Sequence, residues 1–315
     1  MKVGKGGTSG AHPGLRVDRK RLEKAVAGLR GRVTFGAMLR GYTSFKIGGP
    51  ADVLVEPADV DDVCRLLAQA RAAKLPLFVV GGTNLLIRDG GIRGIVVSLS
   101  SLRTIREEAG AVLYAEGGVG MPTLIGYAIR RSLAGLEWAA GIPGTVGGCL
   151  VMNAGTRLGE MKDSVKAVRI VTTNGDVRDL TAASIRFDYR RAHLPKGIVV
   201  GVWLQLRPGL RAEISRIVKD YLHYRKDTQP RAMPSAGCVF KNPPRDSAGH
   251  LLEAAGLKGM RIGDAEVSTK HGNFIVNRGH ASAADVIGLI HKVRRMIKQK
   301  TGVRLDLELK IVGEA

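Results

Sequence analysis

The sequence is poor in aromatic residues, acids and cysteines. Phenylalanine, tryptophan and tyrosine make up only 4% of its 315 residues. That is too few for a protein that holds nucleic acid by stacking bases on aromatic rings. No apolar run approaches the roughly 18 residues that a membrane-crossing helix needs, so no membrane span is expected. The three cysteines, Cys64, Cys149 and Cys238, are far apart and odd in number, and none stands in a CxxC pair. The seven histidines show no HxxxH or HExxH spacing, so no metal site is readable. The N-terminal stretch MKVGKGGTSGAHPG is positively charged with no apolar segment behind it. A secretory signal is therefore not expected, and free thiols in a reducing cytoplasm are.

What is abundant is positive charge, hydrophobic residues and glycine. Lys and Arg number 49 against 28 Asp and Glu, a net charge of +21. This balance suits nucleic acid, a membrane surface or a small anionic substrate. The charge is spread along the chain, with one dense cluster over residues 17–32 that reads as a basic amphipathic helix. No helix-turn-helix, zinc-finger or RNP pattern accompanies it. Hydrophobic residues at 44% are enough for real cores. The 42 glycines follow no collagen-like period, so they mark tight turns and places where backbone approaches a ligand.

Along the chain, residues 1–14 read as flexible and 17–30 as a helix with Val17, Leu22, Val26 and Leu29 on one face. ADVLVEP, ending at Pro57, reads as a strand. Asp59 can cap a helix over 60–73, with Asp61 and Asp62 in its first turn, where the helix dipole favours anions. The apolar run 75–80 completes a strand–helix–strand unit whose strands should be parallel. Ligands bind beyond the carboxyl ends of such strands. There the sequence places GGTNLLIRDGG, which is neither GxGxxG nor GxxxxGK[ST]. A second glycine-rich stretch, 135–155, has six glycines in 21 residues and almost no charge. Such a segment is no solvated linker. It reads as backbone packed against something flat or anionic, with amide N–H groups as donors. Strands are expected over 95–99, 112–118, 165–180 with a hairpin turn at Asn174-Gly175, and 197–209. Helices are expected over 122–133 and 212–225. A last helix should run from a Ser282 cap to Gly302, before the alternating segment VRLDLELKIVG.

Eight segments, taken together and in order, resemble the UDP-N-acetylenolpyruvoylglucosamine reductase family. They are TSFKIGG, VVGGTNLLIRDGG, GIPGTVGG…MNAG, FDYR, QPRAMPSAGCVFKNP, AGLKGMRIG, STKHGNFIVN and LELKIVG, spanning about residues 43–313. No extra tyrosine-bearing loop follows Tyr189-Arg190, as in the family's loop-lacking second type. The resemblance implies an α+β architecture: an FAD-binding fold of the vanillyl-alcohol oxidase (PCMH) type in two subdomains, plus a C-terminal α/β substrate domain. The implied division is a basic N-terminal extension or helix over 1–32, subdomains over 33–99 and 100–210, and a substrate-binding domain over 211–315. It also implies FAD as bound cofactor, NADPH as cosubstrate and a UDP-sugar as substrate. NADPH would reduce FAD, which would return hydride to C3 of the enolpyruvyl double bond while C2 is protonated, in peptidoglycan precursor synthesis in the cytoplasm.

Three positions match the family's catalytic residues. Arg190 matches the arginine that faces the substrate carboxylate, where a fixed cation stabilises charge pushed onto the group as an enolate. Glu308 matches the glutamate on the last strand. By alternation alone it shares a solvated face with Arg304, Asp306 and Lys310. Cys238 occupies the slot of the usual serine, the proton donor to C2. A thiol is more acidic than an alcohol, and nearby Lys241 could lower its pKa further. Tyr189, Arg225, Lys241 and Asn242 fall where the family contacts the nucleotide substrates, with His271 a weaker match. The resemblance puts FAD along Gly81, Gly82, Thr83, Asn84 and Leu85. Its ring and pyrophosphate would lie near Gly141, Ile142, Pro143, Gly144, Thr145, Gly147 and Gly148, and near Asn153, Ala154 and Gly155. The competing classes are another FAD oxidase of the same superfamily and a basic nucleic-acid binder, the latter without the yellow colour of bound flavin. No nucleic-acid partner and no obligate protein partner is expected.

Overall fold

The computed structural model describes residues 17–315; the segment 1–14, read as flexible, lies outside them. The basic stretch is helical over α1, Arg19–Val26, with Asp18 accepting a hydrogen bond from the Lys20 amide at its start. Leu22, Ala25 and Val26 are buried with the first sheet. The described part of the expected basic extension is therefore a packed element of that sheet.

That sheet contains β1 (Arg32–Phe35), β2 (Ala51–Glu56), β3 (Leu77–Val80) and β5 (Ile92–Ser98). The expected strand–helix–strand unit is present, with α2 (Val60–Ala72) as its crossover. Its two strands are not neighbours, however. The order is β1-β2-β5-β3, with β5 inserted and parallel to both β2 and β3. The run IVVS of β5 is buried almost throughout, as a central parallel strand must be.

A second, five-stranded antiparallel sheet holds β6 (Ile105–Glu108), β7 (Val112–Glu116) and the strands Val165–Thr172, Val177–Thr181 and Gly197–Gln205. In the expected hairpin, Gly175 takes φ +90° and its amide bonds the Thr172 carbonyl. Val63 and Leu66 of α2 share one core with Ile95 and Val97 of the first sheet and with Val171, Ile198 and Val200 of the second. The other face of the second sheet is covered by α3 (Met121–Arg130), α4 (Val146–Val151) and α5 (Arg211–Thr228). Here the expected boundary at 211 is displaced. Val218 and Tyr221 of α5 lie in the core of the second unit, so that helix is not the head of the third.

The third unit packs α6 (Ala248–Ala254) and α7 (Ala283–Thr301) on a four-stranded antiparallel sheet that includes Ser235–Cys238 and Phe274–Asn277. The last helix is as read. Ser282 and Asp285 form a capping box, Gly302 closes it at φ +74°, and Val286, Leu289, Ile290, Val293 and Ile297 are buried. The alternating tail differs from expectation. Only Lys310–Val312 is a strand, and it pairs in parallel with β4 (Leu85–Ile87) of the first unit. Residues before it cross over the Val239–Lys241 segment instead, with the Glu308 amide donating to the Val239 carbonyl. Leu305 and Leu309 are buried as the alternation requires.

Asp62 does more than complement a helix dipole. It is fully buried, and its Oδ2 accepts from the amides of Arg30, Gly31 and Ala58 at 3.0, 2.7 and 3.1 Å. Burial alone would raise its pKa. The three backbone donors and the Arg30 guanidinium more than reverse this and hold it below the ordinary carboxylate value. Asp62→Ala leaves three donors unpaired and should cost about 3 kcal/mol or more, read by denaturant unfolding at pH 7. Because the folded-state pKa is depressed, the contribution is present above the unfolded carboxylate pKa and drains away as pH falls below it. The gap between wild type and variant should therefore narrow towards pH 3, and a constant gap would contradict this account.

Candidate active site

The three units meet around a cavity of about 840 Å³. Its walls are the loop after β3, the glycine-rich stretch before and after α4, the end of α5, and the strand Ser235–Cys238. Of the residues expected at the cofactor, Gly81, Gly82, Thr83, Asn84, Gly141, Ile142, Pro143, Gly144, Gly148, Ala154 and Gly155 line it.

Four do not. Leu85 is buried in β4 and packs in the core. Thr145 caps α4: its Oγ1 accepts from the Gly148 amide at 3.2 Å, and its own amide donates to the Gly81 carbonyl. A Cβ on Gly147 would stand 3.0 Å from the Gly117 carbonyl oxygen, so this glycine seats α4 on the second sheet. Asn153 is 1% exposed and turned inward. Gly148 has both roles. It lines the cavity, and a Cβ there would come within 2.6 Å of the Gly81 carbonyl oxygen, so the two glycine loops can touch only without a side chain.

Arg190 and Glu308, 118 residues apart in the chain, meet at the cavity wall. Arg190 Nε donates to Glu308 Oε1 at 2.8 Å, with only 23% and 12% of the two side chains exposed. Burial opposes the arginine's charge, but Glu308 outweighs it and raises the arginine's pKa. Arg190 stands with φ +58° at the tip of the hairpin formed by Arg186–Asp188 and Arg191–His193. Glu308 is thus no solvated charge; the tail's crossing turns it onto the arginine.

Cys238 also lines the cavity, as does Ser235. Three residues apart, they would face opposite sides of a regular strand. A bulge between them, with Gly237 at φ +77°, restores both to one side. Burial pushes the Cys238 thiol up to about 12, with Glu308 adding to the rise and Arg190 and Arg225 opposing it. The expected lowering by Lys241 is absent. That lysine lines a second, smaller cavity of about 450 Å³ on the far side of the Arg190–Glu308 pair, together with the exposed Tyr189.

The expected substrate residues are therefore divided. Arg225 and Asn242 border the main cavity, Tyr189 and Lys241 the smaller one. Arg225 is held by Gln229 Oε1 and the Ala140 carbonyl, both at 3.0 Å. Burial lowers its pKa, and no carboxylate pairs with it among the described residues, so a bound anion would find an uncompensated cation. Asn242 Oδ1 accepts from the Ala248 amide at the start of α6. His271 borders the main cavity, with Nδ1 accepting from the Asn273 amide, and burial lowers its pKa.

Sequence reading missed one group on the rim. Tyr221 and Tyr224 stack at 5.9 Å, and the Arg157 guanidinium lies 3.8 Å from the Tyr224 ring centroid. Two tyrosines at i and i+3, the second directly before Arg225, in a chain so poor in aromatics, were the available signal. Among the described residues no His, Cys, Asp and Glu cluster could hold a metal, and no helix is long and apolar enough to cross a membrane.

Comparison with known proteins agrees with this geometry. A family model described as "UDP-N-acetylenolpyruvoylglucosamine reductase, C-terminal domain" matches residues 229–312, and one described as "FAD binding domain" matches 51–181. The UDP-N-acetylenolpyruvoylglucosamine reductase of Caldanaerobacter subterraneus subsp. tengcongensis is 44% identical over 287 residues, covering 90% of this chain and 95% of the relative. The UDP-N-acetylenolpyruvoylglucosamine reductase 2 of Symbiobacterium thermophilum is 45% identical over 286 residues, 90% and 93% of the two chains. The crystal structure of the reductase (MurB) from Thermus caldophilus superposes with a TM-score of 0.77 at 38% identity, covering 90% of this chain and 99% of that one.

The glycine loops fit a flavin nucleotide on their own geometry: a large cavity, a wall rich in glycine backbone and a half-buried cation with no carboxylate partner among the described residues. Gly82 offers the cleanest test. A Cβ there meets nothing closer than Asn84 Oδ1 at 3.5 Å, so only the cavity is encroached upon. Gly82→Val should fold normally and bind FAD at least about tenfold more weakly, since overpacking costs about 1–3 kcal/mol. Gly148→Ala, by contrast, should lower the melting temperature of the protein itself. Full flavin content in Gly82→Val, measured by absorbance after gel filtration, would contradict the loop's assignment.

Proposed function

Because this chain belongs to the UDP-N-acetylenolpyruvoylglucosamine reductase family, we propose that Arg190, Glu308 and Cys238 form the centre at which the enolpyruvyl group is reduced. The reaction itself is the family's. It is the FAD-dependent reduction of UDP-N-acetylglucosamine enolpyruvate to UDP-N-acetylmuramate in peptidoglycan precursor synthesis, with NADPH as the reductant. The fold is the FAD-binding type expected, in two subdomains with a C-terminal substrate domain. We place the start of the third domain after α5, and the reaction in the cytoplasm.

Held by the glycine loops, FAD would supply the hydride chemistry between NADPH and C3 of the enolpyruvyl double bond. The protein's task is to hold the substrate carboxylate, stabilise the charge that arrives on it, and deliver one proton to C2. The observation that carries the reading is the Arg190–Glu308 pair on the cavity wall. Glu308 takes Nε, which leaves both Nη groups of Arg190 without a hydrogen-bond partner among the described residues. A guanidinium so held presents two donors to a carboxylate and cannot be deprotonated. Charge building on that carboxylate as an enolate is met by a cation already in place, with no reorganisation needed.

Cys238 is the proton donor in this reading. With its pKa pushed up to about 12, it is a neutral thiol through the neutral range and always carries the proton it must give. Arg225 and Asn242 hold the phosphates of the nucleotide substrates from the main cavity, and Tyr189 and Lys241 from the smaller one. Thr83, Asn84 and the surrounding glycines take FAD.

Arg190→Ala should leave FAD bound and NADPH-driven flavin reduction intact, while slowing reoxidation by the enolpyruvyl substrate about 10²–10³-fold. Unchanged reoxidation in stopped flow would remove Arg190 from the mechanism.

For Cys238, alanine substitution should slow only the substrate half-reaction, by about 10²–10⁴, and serine should restore measurable turnover. Because the thiol's pKa is raised, alkylation by iodoacetamide at pH 8 should be slower than for an ordinary cysteine and should accelerate as pH rises further. Rapid alkylation of Cys238 at neutral pH, or near wild-type turnover in Cys238→Ala, would transfer the role to Ser235 or to water.

A further inference from the structure

Asn153 was expected at the cofactor, yet it is buried away from the cavity. All of its amide is in use. Nδ2 donates to the Asp188 carbonyl at 3.2 Å and to Glu160 Oε2 at 2.8 Å, and Oδ1 accepts from the Lys162 amide at 3.0 Å. It also stands at φ +39°, a conformation that costs a non-glycine residue energy and persists where surroundings over-determine it. Asp188 is two residues before Arg190, on the hairpin whose tip carries that arginine. Nearby, Gly155 makes room for the guanidinium: a Cβ there would lie 3.1 Å from an Arg190 Nη. One short segment thus grips the hairpin's backbone and clears space for its functional group.

We infer that Asn153 is a positioning residue for Arg190: its amide anchors the Asp188 carbonyl and so sets where the guanidinium meets the substrate carboxylate. This rests on the role proposed above for Arg190. It makes Asn153 part of the substrate half-reaction only. A displacement of about 1 Å at a reacting centre can cost about 10²-fold in rate, whereas Asn153 itself lines neither cavity.

The test is Asn153→Gly, in wild-type and Arg190→Ala backgrounds, on the FAD-loaded enzyme. Glycine accepts the positive φ without strain, so only the amide is lost. The melting temperature should fall, because three partly buried partners lose their hydrogen bonds, but flavin content and the rate of flavin reduction by NADPH should stay at wild-type values. Reoxidation by the enolpyruvyl nucleotide sugar should slow about 10–100-fold. In the Arg190→Ala background the same change should add little, because a residue acting through another is non-additive with it. Full additivity, loss of flavin, or equal slowing of both half-reactions would overturn the inference. If Arg190→Ala itself left reoxidation untouched, the role of Arg190 would fall first and this inference with it.

Should Asn153→Gly fail to fold, Asn153→Asp replaces it. That side chain can still accept from the Lys162 amide but can donate to the Asp188 carbonyl only when protonated. Its substrate half-reaction should therefore recover as pH is lowered, relative to wild type at each pH. A wild-type rate across the range would overturn the inference.

Discussion

The ion pair between Arg190 and Glu308 is the contact on which the rest of the site depends. Neither residue could be held there by its own neighbourhood. The arginine rides on a two-residue turn in the second unit, and the glutamate on a tail that leaves the third unit to join the first. Bringing them together partly buried requires all three units to close on one another. A cation desolvated to this degree is unfavourable without a partner, and its partner satisfies it through one nitrogen only. What remains is a charged fork facing a cavity, which a substrate carboxylate can complete. The same economy recurs at Arg225, where carbonyl and amide oxygens hold the side chain in place and leave its charge uncompensated.

Glycine sets the distances around that pair. Gly148 lets α4 touch the loop after β3, and Gly147 lets it settle on the second sheet. The segment reads in the sequence as one undivided cofactor loop. In the molecule, its residues alternate between facing the cavity and packing against backbone. Thr145 follows the same division, spending its hydroxyl and amide on the helix start and the neighbouring loop.

Much of the fold was legible because local signals agreed: the Ser282 cap with Gly302 at the far end, the buried run of β5, the Asn174-Gly175 turn. What escaped was set by distant partners. The insertion of β5 between β2 and β3 is a choice of neighbour, which periodicity does not record. The tail's alternation was read as a strand with one wet face, and Glu308 was assigned to that face. Only a residue 118 positions away makes it inward. The resemblance supplied Arg190, Glu308 and Cys238 by type, and the cavity collects all three. It did not distinguish residues that touch a ligand from those that hold such residues, and Asn153 shows the difference. For Cys238, proximity in sequence to Lys241 suggested a lowered pKa. The two side chains instead line different cavities, and burial governs the thiol.

The pairing of Lys310–Val312 with β4 bears on how the molecule is assembled. Asn84, at the mouth of β4, also donates to the Glu308 carbonyl across 224 residues of chain. Contacts of such separation form after local ones, since the loop they close must lose its freedom first. Glu308 therefore stands against Arg190 only because the tail has docked on β4 of the first unit, so the last strand of the chain ties the wall of the cavity to the far end of the sequence.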